Sequence, residues 1–212
     1  MQVIKNEKTA EIVGLCFGDG SLTTRNDGKH IGRLRFQLRG HIIDDREHYD
    51  THIKPLFKEV IEEIPTAIYK GKKPYYGIST EKKSVCEYLH LLNIPIGVKK
   101  ELQIPNWILK NKKNIRGFLR GFLDTDGTIF CQKNYSLRII KKHTQIRLKL
   151  STISKNLAQE MKSLLDDLKI KNLFKIDVKK KSNEQTAYHV EICGGINVDN
   201  WFKQIGSSNP DI

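Results

Sequence analysis

Two stretches of the chain alternate basic or polar side chains with apolar ones. Residues 33–39 read Arg-Leu-Arg-Phe-Gln-Leu-Arg, and residues 146–151 read Ile-Arg-Leu-Lys-Leu-Ser. A period of two is typical of a strand that has one face on a core and the other face open. The apolar members are predicted to pack against helices: Leu34, Phe36, Leu38, Ile146, Leu148 and Leu150.

The same order of elements follows each alternating strand. After the first strand the pattern predicts helix 45–64, hairpin 67–80 and helix 81–92, and after the second it predicts helix 154–168, hairpin 174–193 and helix 198–205. Ser154 is the predicted N-cap of its helix. With a helix at the start, each half reads αββαββα. We therefore predict an α+β fold of two pseudo-symmetric halves with antiparallel, saddle-shaped sheets.

A nine-residue motif opens each half. Residues 12–20 read Ile-Val-Gly-Leu-Cys-Phe-Gly-Asp-Gly, and residues 119–127 read Leu-Arg-Gly-Phe-Leu-Asp-Thr-Asp-Gly. The duplication predicts an N-terminal half at 1–103 and a C-terminal half at 115–212. The basic and polar segment between them, 104–114, is predicted to be a surface linker.

Small residues recur at helical spacing in the two motifs and in the residues just before the second one. Gly14 and Gly18 are four residues apart, as are Gly117 and Gly121, so each pair lies on one helix face. Small residues on one face let a partner helix approach closely. The two motif helices are therefore predicted to pack against each other as a seam between the halves. The final glycines, Gly20 and Gly127, are predicted to be left-handed helix C-caps.

Each motif places an aspartate, Asp19 or Asp126, at the end of its helix. A helix C-terminus carries partial negative charge and disfavours a carboxylate. If the helices pack in parallel, the two carboxylates meet at the same end and need a compensating cation. Carboxylate and backbone carbonyl oxygens are hard ligands of the kind that Mg²⁺ takes. The motifs therefore predict a divalent-metal site.

The charge balance points to a polyanionic partner. The chain has 37 Lys and Arg against 24 Asp and Glu, a formal net charge of +13. Such an excess attracts nucleic acid. The four cysteines form no Cys-x-x-Cys pair, which predicts reduced thiols rather than a disulfide framework or zinc site. No apolar run is long enough for a membrane span or a secretion signal.

The repeated nine-residue pattern resembles the LAGLIDADG homing endonucleases, and the resemblance covers nearly the whole chain. The second copy matches the family pattern at its leucine, glycine, both aspartates and final glycine, whereas the first departs at Cys16 and Phe17. The resemblance implies that Asp19 and Asp126 are metal ligands, with the carbonyls of Gly18 and Thr125 as secondary ligands. It implies two or three Mg²⁺ ions, with Mn²⁺ as a substitute and Ca²⁺ binding without cleavage.

The resemblance also implies the reaction. A single chain with two motifs is expected to be a monomeric enzyme that hydrolyses one phosphodiester in each strand of double-stranded DNA, across the minor groove, leaving 3′ overhangs. Basic side chains are expected beside the metals: Arg39 at the end of the first alternating strand, and Lys99 before the Ile-Pro-x-Trp segment, with Lys100 as its alternative. Lys155 is a possible counterpart in the second half.

Polar members of the alternating strands and hairpin tips are predicted to bind DNA. Arg, Lys and Gln can read base edges in the major groove, whereas lysines at hairpin tips are expected at phosphates. Since the two halves differ at nearly every outward position, we predict a long, asymmetric target. The predicted DNA-binding residues are Arg33, Arg35, Gln37, Arg39, Tyr69, Lys70, Lys72, Lys73, Tyr75, Arg147, Lys149, Ser151, Lys175, Lys179 and Lys181.

Two other functions suit the same scaffold. An RNA maturase would bind its own intron RNA, and a non-cleaving regulator would bind DNA without hydrolysis. Retention of both motif aspartates favours cleavage. The chain ends lack splicing blocks, so a free-standing, intron-encoded enzyme is expected rather than one inside an intein. Its expected location is the cytoplasm, associated with the nucleoid, or an organellar matrix, and not the secretory route.

Overall fold

The computed structural model describes residues 3–25, 32–134, 143–178, 185–210 and 212. The first half contains α1 (Glu7–Gly18), β1 (Gly20–Arg25), β2 (Arg33–His41), α2 (Arg46–His48), a π-helical turn (Tyr49–Ile53), α3 (Lys54–Val60), β3 (Thr66–Tyr69), β4 (Tyr75–Thr80) and α4 (Lys83–Leu91). After α5 (Asn106–Leu109), the second half contains α6 (Lys112–Asp126), β5 (Gly127–Asn134), β6 (His143–Thr152), α7 (Lys155–Asp167), β7 (Leu173–Asp177), β8 (Ala187–Cys193) and α8 (Gly195–Gln204).

Each half contributes one four-stranded antiparallel sheet. The strand orders are β1-β2-β4-β3 and β5-β6-β8-β7, so the two halves share one topology. In the first sheet Gln37 pairs with Ser79, and in the second Lys149 pairs with Glu191. The predicted α+β class with two pseudo-symmetric halves is confirmed.

The first motif helix begins at a side-chain cap. Asn6 accepts a hydrogen bond from the backbone N–H of Thr9 at 2.9 Å, and Glu7 adds a favourable negative charge in the first turn of α1. From Thr9 to Gly18 every residue of α1 is buried. Ile12 and Leu15 on this helix join a core that includes Phe36 and Leu38 from β2. The alternation of β2 thus buries its apolar face as predicted.

The chain forms two compact units whose limits differ from the sequence duplication. One unit contains residues 1–99, 104–125 and 207–211, and the other contains 100–103, 126–206 and 212. Helix α6 therefore packs with the first unit up to Thr125, because its face is covered by α1. The division at 1–103, 104–114 and 115–212 stays a prediction about the repeat.

Two local predictions differ from the structure. The segment 104–114 contains α5 and the start of α6, and Ile104 and Ile108 are buried, so it is not simply a surface linker. The helix predicted to reach residue 64 ends at Val60, and its cap residue Ile61 already has non-helical backbone angles, φ −122° and ψ −78°. Along the described ranges, no helix is long and apolar enough to cross a membrane.

Candidate active site and nucleic-acid interface

Helices α1 and α6 touch backbone to backbone in the first unit. A Cβ on Gly117 would overlap the carbonyl oxygen of Glu7, and a Cβ on Gly121 would overlap that of Glu11. The contacts advance in the same direction along both helices, so the helices run in parallel. Gly14 makes the reciprocal contact with the backbone of Phe118. The close packing predicted from glycine spacing is therefore present.

The first motif aspartate lies at the exposed end of α1. Asp19 is the C-cap residue, with φ −85° and ψ −8°, and its N–H donates to the carbonyl of Leu15. Gly20 is buried and opens β1. The prediction of left-handed caps is wrong, since neither Gly20 nor Gly127 has a positive φ. Gly20 is required instead because a Cβ there would lie 2.5 Å from the Cα of Cys16.

A lysine ammonium group covers the carbonyl end of the same helix. Nζ of Lys99 donates to the carbonyl oxygens of Cys16 at 3.3 Å and Phe17 at 3.0 Å, and also to that of Gly18. These carbonyls carry the negative end of the helix dipole, so a cation is stabilised there. The structure thus brings together three predicted site residues: Asp19, Gly18 and Lys99.

The loop that carries Lys99 is held against β1. The N–H of Gly97 donates to the carbonyl of Leu22 at 2.8 Å, and Ile96 forms a parallel bridge with Leu22. Gly97 has φ +90°, a conformation that side-chain-bearing residues rarely adopt. This turn directs the following lysine toward the end of α1, whereas the alternative, Lys100, is exposed.

Strand register relates each motif aspartate to the second strand of its sheet. Gly20 pairs with Leu38, so Asp19 and Arg39 both lie one step beyond that pair. In the second sheet Gly127 pairs with Leu150, and the matching step brings Asp126 level with Ser151. A serine therefore takes the place that an arginine has in the first half. The sequence likewise offers no clear basic counterpart to Arg39 in the second half.

The last residues of the second motif helix are less exposed to solvent than Asp19 at the end of the first. Thr125 and Asp126 are half-buried, and the Thr125 hydroxyl donates back to the carbonyls of Gly121 and Phe122, both at 3.2 Å. Lys155, the possible basic counterpart, is an exposed first residue of α7. The two predicted ligands of this half are thus consecutive residues at the end of α6.

The donor set at the end of α1 fits a hard cation. Within the described residues, no group of three or more His, Cys, Asp or Glu side chains could hold a metal ion. One carboxylate, Asp19, instead stands next to the Gly18 carbonyl, which already accepts a hydrogen bond from an ammonium ion. Carboxylate, carbonyl and water oxygens are ligands that suit Mg²⁺.

The thiol within this motif is not a second reactive group. Burial raises the pKa of Cys16 to about 12, against the opposing effect of the nearby Lys99 charge. A neutral thiol is a poor nucleophile. The polar groups at this helix end are therefore the carbonyl oxygens, the Asp19 carboxylate and the Lys99 ammonium group.

The polar face of the first sheet combines exposed and covered side chains. Arg33 and Arg39 are exposed, and the Arg39 guanidinium lies 4.7 Å from the ring centre of Tyr75. Arg35 is half-buried. Gln37, predicted to be open to DNA, is only 5% exposed, and its Oε1 accepts a hydrogen bond from Arg39.

The hairpin tip of the first sheet carries aromatic and basic residues as predicted. Tyr69 is half exposed, and its ring stacks on Tyr75 with the ring centres 5.7 Å apart. The lysines between β3 and β4 are all exposed: Lys70, Lys72 and Lys73. An exposed aromatic pair beside three ammonium groups can contact bases or sugars and phosphates.

The polar face of the second sheet is occupied by ion pairs. Arg147 and Lys175 both contact Glu191, at 2.9 Å and 2.6 Å. Lys149 lies 5.8 Å from the ring centre of Phe130. Ser151 bonds to His189, whose other ring nitrogen lies 3.0 Å from Asp177. Two further predicted residues, Lys179 and Lys181, lie outside the described residues.

Sequence reasoning missed the acids on these two faces. Glu191 has apolar neighbours on both sides in β8, so alternation alone could have assigned it to the polar face. Its partners could not be identified, because they depend on the order of β6, β8 and β7. Glu81, which contacts Arg25 at 2.5 Å, follows β4 and was assigned only to a helix.

A partly buried ionic network that joins the two motif helices was also missed. Glu11 accepts hydrogen bonds from Arg120 at 2.6 Å and 3.0 Å and contacts His52 at 2.6 Å. Burial raises the pKa of Glu11, but the hydrogen bonds from His52 and Arg120 outweigh it, and the net pKa is lowered. The network stabilises α1 against α6 and the π-helical turn.

Comparison with known families supports the assignment of the second half. Residues 113–206 match the family model described as a LAGLIDADG-like domain. A curated relative, the replication factor C small subunit of Methanocaldococcus jannaschii, is 26% identical over 204 residues. That alignment covers 96% of this chain and 10% of the relative, so the chain spans about a tenth of that protein's length.

The fold is that of solved homing endonucleases. A crystal structure of I-DmoI with DNA and Mn has a TM-score of 0.62 and 18% identity, covering 94% of this chain and 96% of that one. The meganuclease I-AabMI bound to uncleaved DNA has a TM-score of 0.56 and 15% identity, covering 91% and 82%. At these identities the likeness concerns the fold. The chain therefore has the fold of the LAGLIDADG homing endonucleases, and its second half contains a LAGLIDADG-like domain.

Proposed function

We propose that the chain is a divalent-metal-dependent endonuclease that cuts both strands of a long, asymmetric DNA site. The observation that carries this proposal is the end of α1, where Asp19 follows three carbonyl oxygens that hold the Lys99 ammonium group. An acidic residue beside cation-binding carbonyls is suited to phosphodiester hydrolysis. The solved relatives bound to DNA and Mn support the same class of activity.

Each motif would provide ligands for one strand. Asp19 with the Gly18 carbonyl, and Asp126 with the Thr125 carbonyl, would hold Mg²⁺, with Mn²⁺ as a substitute and Ca²⁺ as a non-cleaving ligand. A divalent ion bound there would offset phosphate charge and lower the pKa of water. The family resemblance implies cleavage across the minor groove with 3′ overhangs. A single chain with two motifs is proposed to act as a monomer.

The other residues would bind and orient the DNA. Lys99, placed by the turn at Gly97, would bring a positive charge to the phosphate next to Asp19. Arg39, level with Asp19 in the sheet and held over Tyr75, would contact the same region. The polar sheet faces would read bases, and the exposed Lys70, Lys72 and Lys73 would contact phosphates.

Cleavage-site selection tests the proposal. The protein is incubated with a randomised or genomic DNA library and Mg²⁺, and the new ends are sequenced. Asp19→Asn, Asp126→Asn and a Ca²⁺-only reaction run alongside. Asp199→Asn serves as the matched control, because this exposed acid on α8 pairs with Lys203, four residues further along the same helix.

One long asymmetric site with paired 3′ overhangs is expected from the unchanged protein and from Asp199→Asn. Both motif variants are expected to lose double-strand cleavage while keeping DNA binding. Robust cutting by either motif variant would remove the catalytic assignment. Nucleic-acid binding without metal-dependent ends would favour a maturase that binds its intron RNA, or a non-cleaving regulator.

A further inference from the structure

A carboxylate on each polar sheet face connects basic side chains from two strands. In the second sheet Glu191 of β8 accepts from Arg147 of β6 at 2.9 Å and from Lys175 of β7 at 2.6 Å. In the first sheet Glu81, after β4, contacts Arg25 of β1 at 2.5 Å and Arg35 of β2 at 3.9 Å. The same arrangement thus occurs twice.

The arrangement around Glu191 is the more enclosed of the two. The Glu191 side chain is 9% exposed and that of Arg147 is 17% exposed. Arg147 also donates to the side-chain oxygen of Gln145 at 3.3 Å. Burial raises the pKa of Glu191, but hydrogen bonds from Lys175 and Arg147 outweigh it, so the pKa is net lowered. The carboxylate is therefore ionised at neutral pH and holds the guanidinium in one orientation.

An acid in the middle of a face that binds DNA has two physical consequences. A cation held by a carboxylate is less available to phosphate, so the sequence-independent part of the affinity falls. A guanidinium held in one orientation presents its paired N–H groups to a guanine edge in a defined position. Both effects raise the ratio of the affinity for target DNA to the affinity for unrelated DNA, even though the acid itself repels phosphate.

We propose that Glu191 is a specificity-determining residue that positions Arg147 and Lys175 and prevents their use as general phosphate contacts. This rests on the proposed function, in which the second sheet faces DNA. Glu191 acts through its two basic partners rather than on the reacting phosphate. Its removal is therefore expected to raise affinity for unrelated DNA while lowering selectivity.

The test compares Glu191→Gln with Asp177→Asn. Asp177 is an exposed acid two residues beyond Lys175 on β7, and it pairs with His189 instead. Both substitutions change the net charge equally, so a general charge effect would appear in both. Binding of each protein to its selected target and to an unrelated duplex is measured over a range of salt concentrations. Thermal unfolding of each variant checks that it is folded.

Glu191→Gln is expected to bind the unrelated duplex about tenfold more tightly, with a salt slope steeper by about 0.9 for each released cation that reaches a phosphate. Its selectivity is expected to fall about tenfold, as for one lost base contact. Asp177→Asn is expected to change affinity for both duplexes alike. Equal selectivity in Glu191→Gln and the unchanged protein would overturn the proposal.

A second variant changes Arg147, the basic partner of Glu191, instead of Glu191 itself. Arg147→Lys keeps the charge but loses the planar pair of donors, so selectivity is expected to fall while affinity for unrelated DNA stays the same. Unchanged selectivity in this variant would also overturn the proposal. If the unchanged protein neither binds nor cuts DNA, the proposed function itself fails. Selective binding by the unchanged protein with no effect of either variant overturns only the role of Glu191.

Discussion

Nζ of Lys99 lies 3.0 Å from the carbonyl oxygen of Phe17, a residue that stands where the second motif has Asp124. The two positions thus serve different purposes in the two copies. In the first copy the side chain is apolar, with its ring 5.6 Å from that of Phe118, and the backbone carbonyl binds a cation. In the second copy the side chain is a buried carboxylate that accepts hydrogen bonds from Ser207 and Ser208.

Lys99→Met is expected to slow DNA cleavage about 100-fold, the effect of removing one donor that stabilises developing charge. The aliphatic part of the side chain is retained, so the fold and DNA binding should change little. Single-turnover cleavage and duplex binding measure the two effects separately. Lys100→Met, one residue further on and exposed, is the matched control. Equal rates for the two variants would exclude Lys99 from the active site.

Gly121→Ala is expected to destabilise the protein by about 2–3 kcal/mol, because the added methyl group meets the backbone of Glu11 rather than a side chain that could move. The midpoint of urea unfolding measures the change. Gly195→Ala, where a Cβ meets no atom within 4 Å, is expected to be neutral or stabilising. Equal midpoints for both variants would contradict the close packing of α1 on α6.

The features predicted from sequence are those with a short-range pattern. Period-two alternation predicted the strands at 33–39 and 146–151, and glycines four residues apart predicted the contact of α1 with α6. Each of these depends on the spacing of neighbours along one element.

The features that sequence reasoning did not predict depend on long-range register. Gln37 is buried and accepts a hydrogen bond from Arg39, and Glu191 binds Arg147 and Lys175 because three strands are adjacent in one particular order. The role of Gly20 was wrong because its reason is steric contact with Cys16 rather than a left-handed backbone. Alternation gives the face of a residue but not the neighbour it meets there.

Asp124→Asn is expected to destabilise the protein by about 2 kcal/mol, since one buried acceptor oxygen is replaced by an amide donor. The Asp124 carboxylate accepts from the Ser207 hydroxyl at 2.6 Å and from the Ser208 N–H at 3.1 Å, so the segment after α8 depends on it. Urea unfolding measures the loss, with Asp199→Asn as the exposed control. No difference between the two variants would show that this segment is held by other contacts.

Acidification is expected to destabilise the protein in two ranges. Burial holds the pKa of His48 below its ordinary value of 6.5. As pH falls past 6.5, the unfolded state therefore binds the proton before the folded state does, and the free energy of unfolding decreases. Glu11, with a net pKa below its ordinary 4.5, gives stability that is complete above that value and is lost as pH falls through the folded pKa.

Urea midpoints between pH 7.5 and pH 3.5, values chosen to bracket both ordinary pKa values, measure this dependence. Glu11→Gln is expected to cost about 3 kcal/mol at neutral pH, because it removes the buried negative charge that Arg120 and His52 both contact at 2.6 Å. Its profile should be flatter on the acid side. Glu63→Gln, at a largely exposed acid, should keep the slope of the unchanged protein. A Glu11→Gln profile parallel to the unchanged one would contradict the assignment.

The affinity for duplex DNA is expected to fall steeply with salt, with a slope of about −0.9 for each phosphate contact. Lys72, exposed between β3 and β4, is predicted to make one such contact, so Lys72→Gln should reduce the slope by about 0.9 on target and unrelated DNA alike. Lys83→Gln is the matched control, because this exposed lysine lies on α4 beside Glu87 rather than on a polar sheet face. It should leave the slope unchanged. A reduction of equal size in both variants would show that the slope reports net charge, and a flat slope in the unchanged protein would contradict DNA binding by the sheet faces.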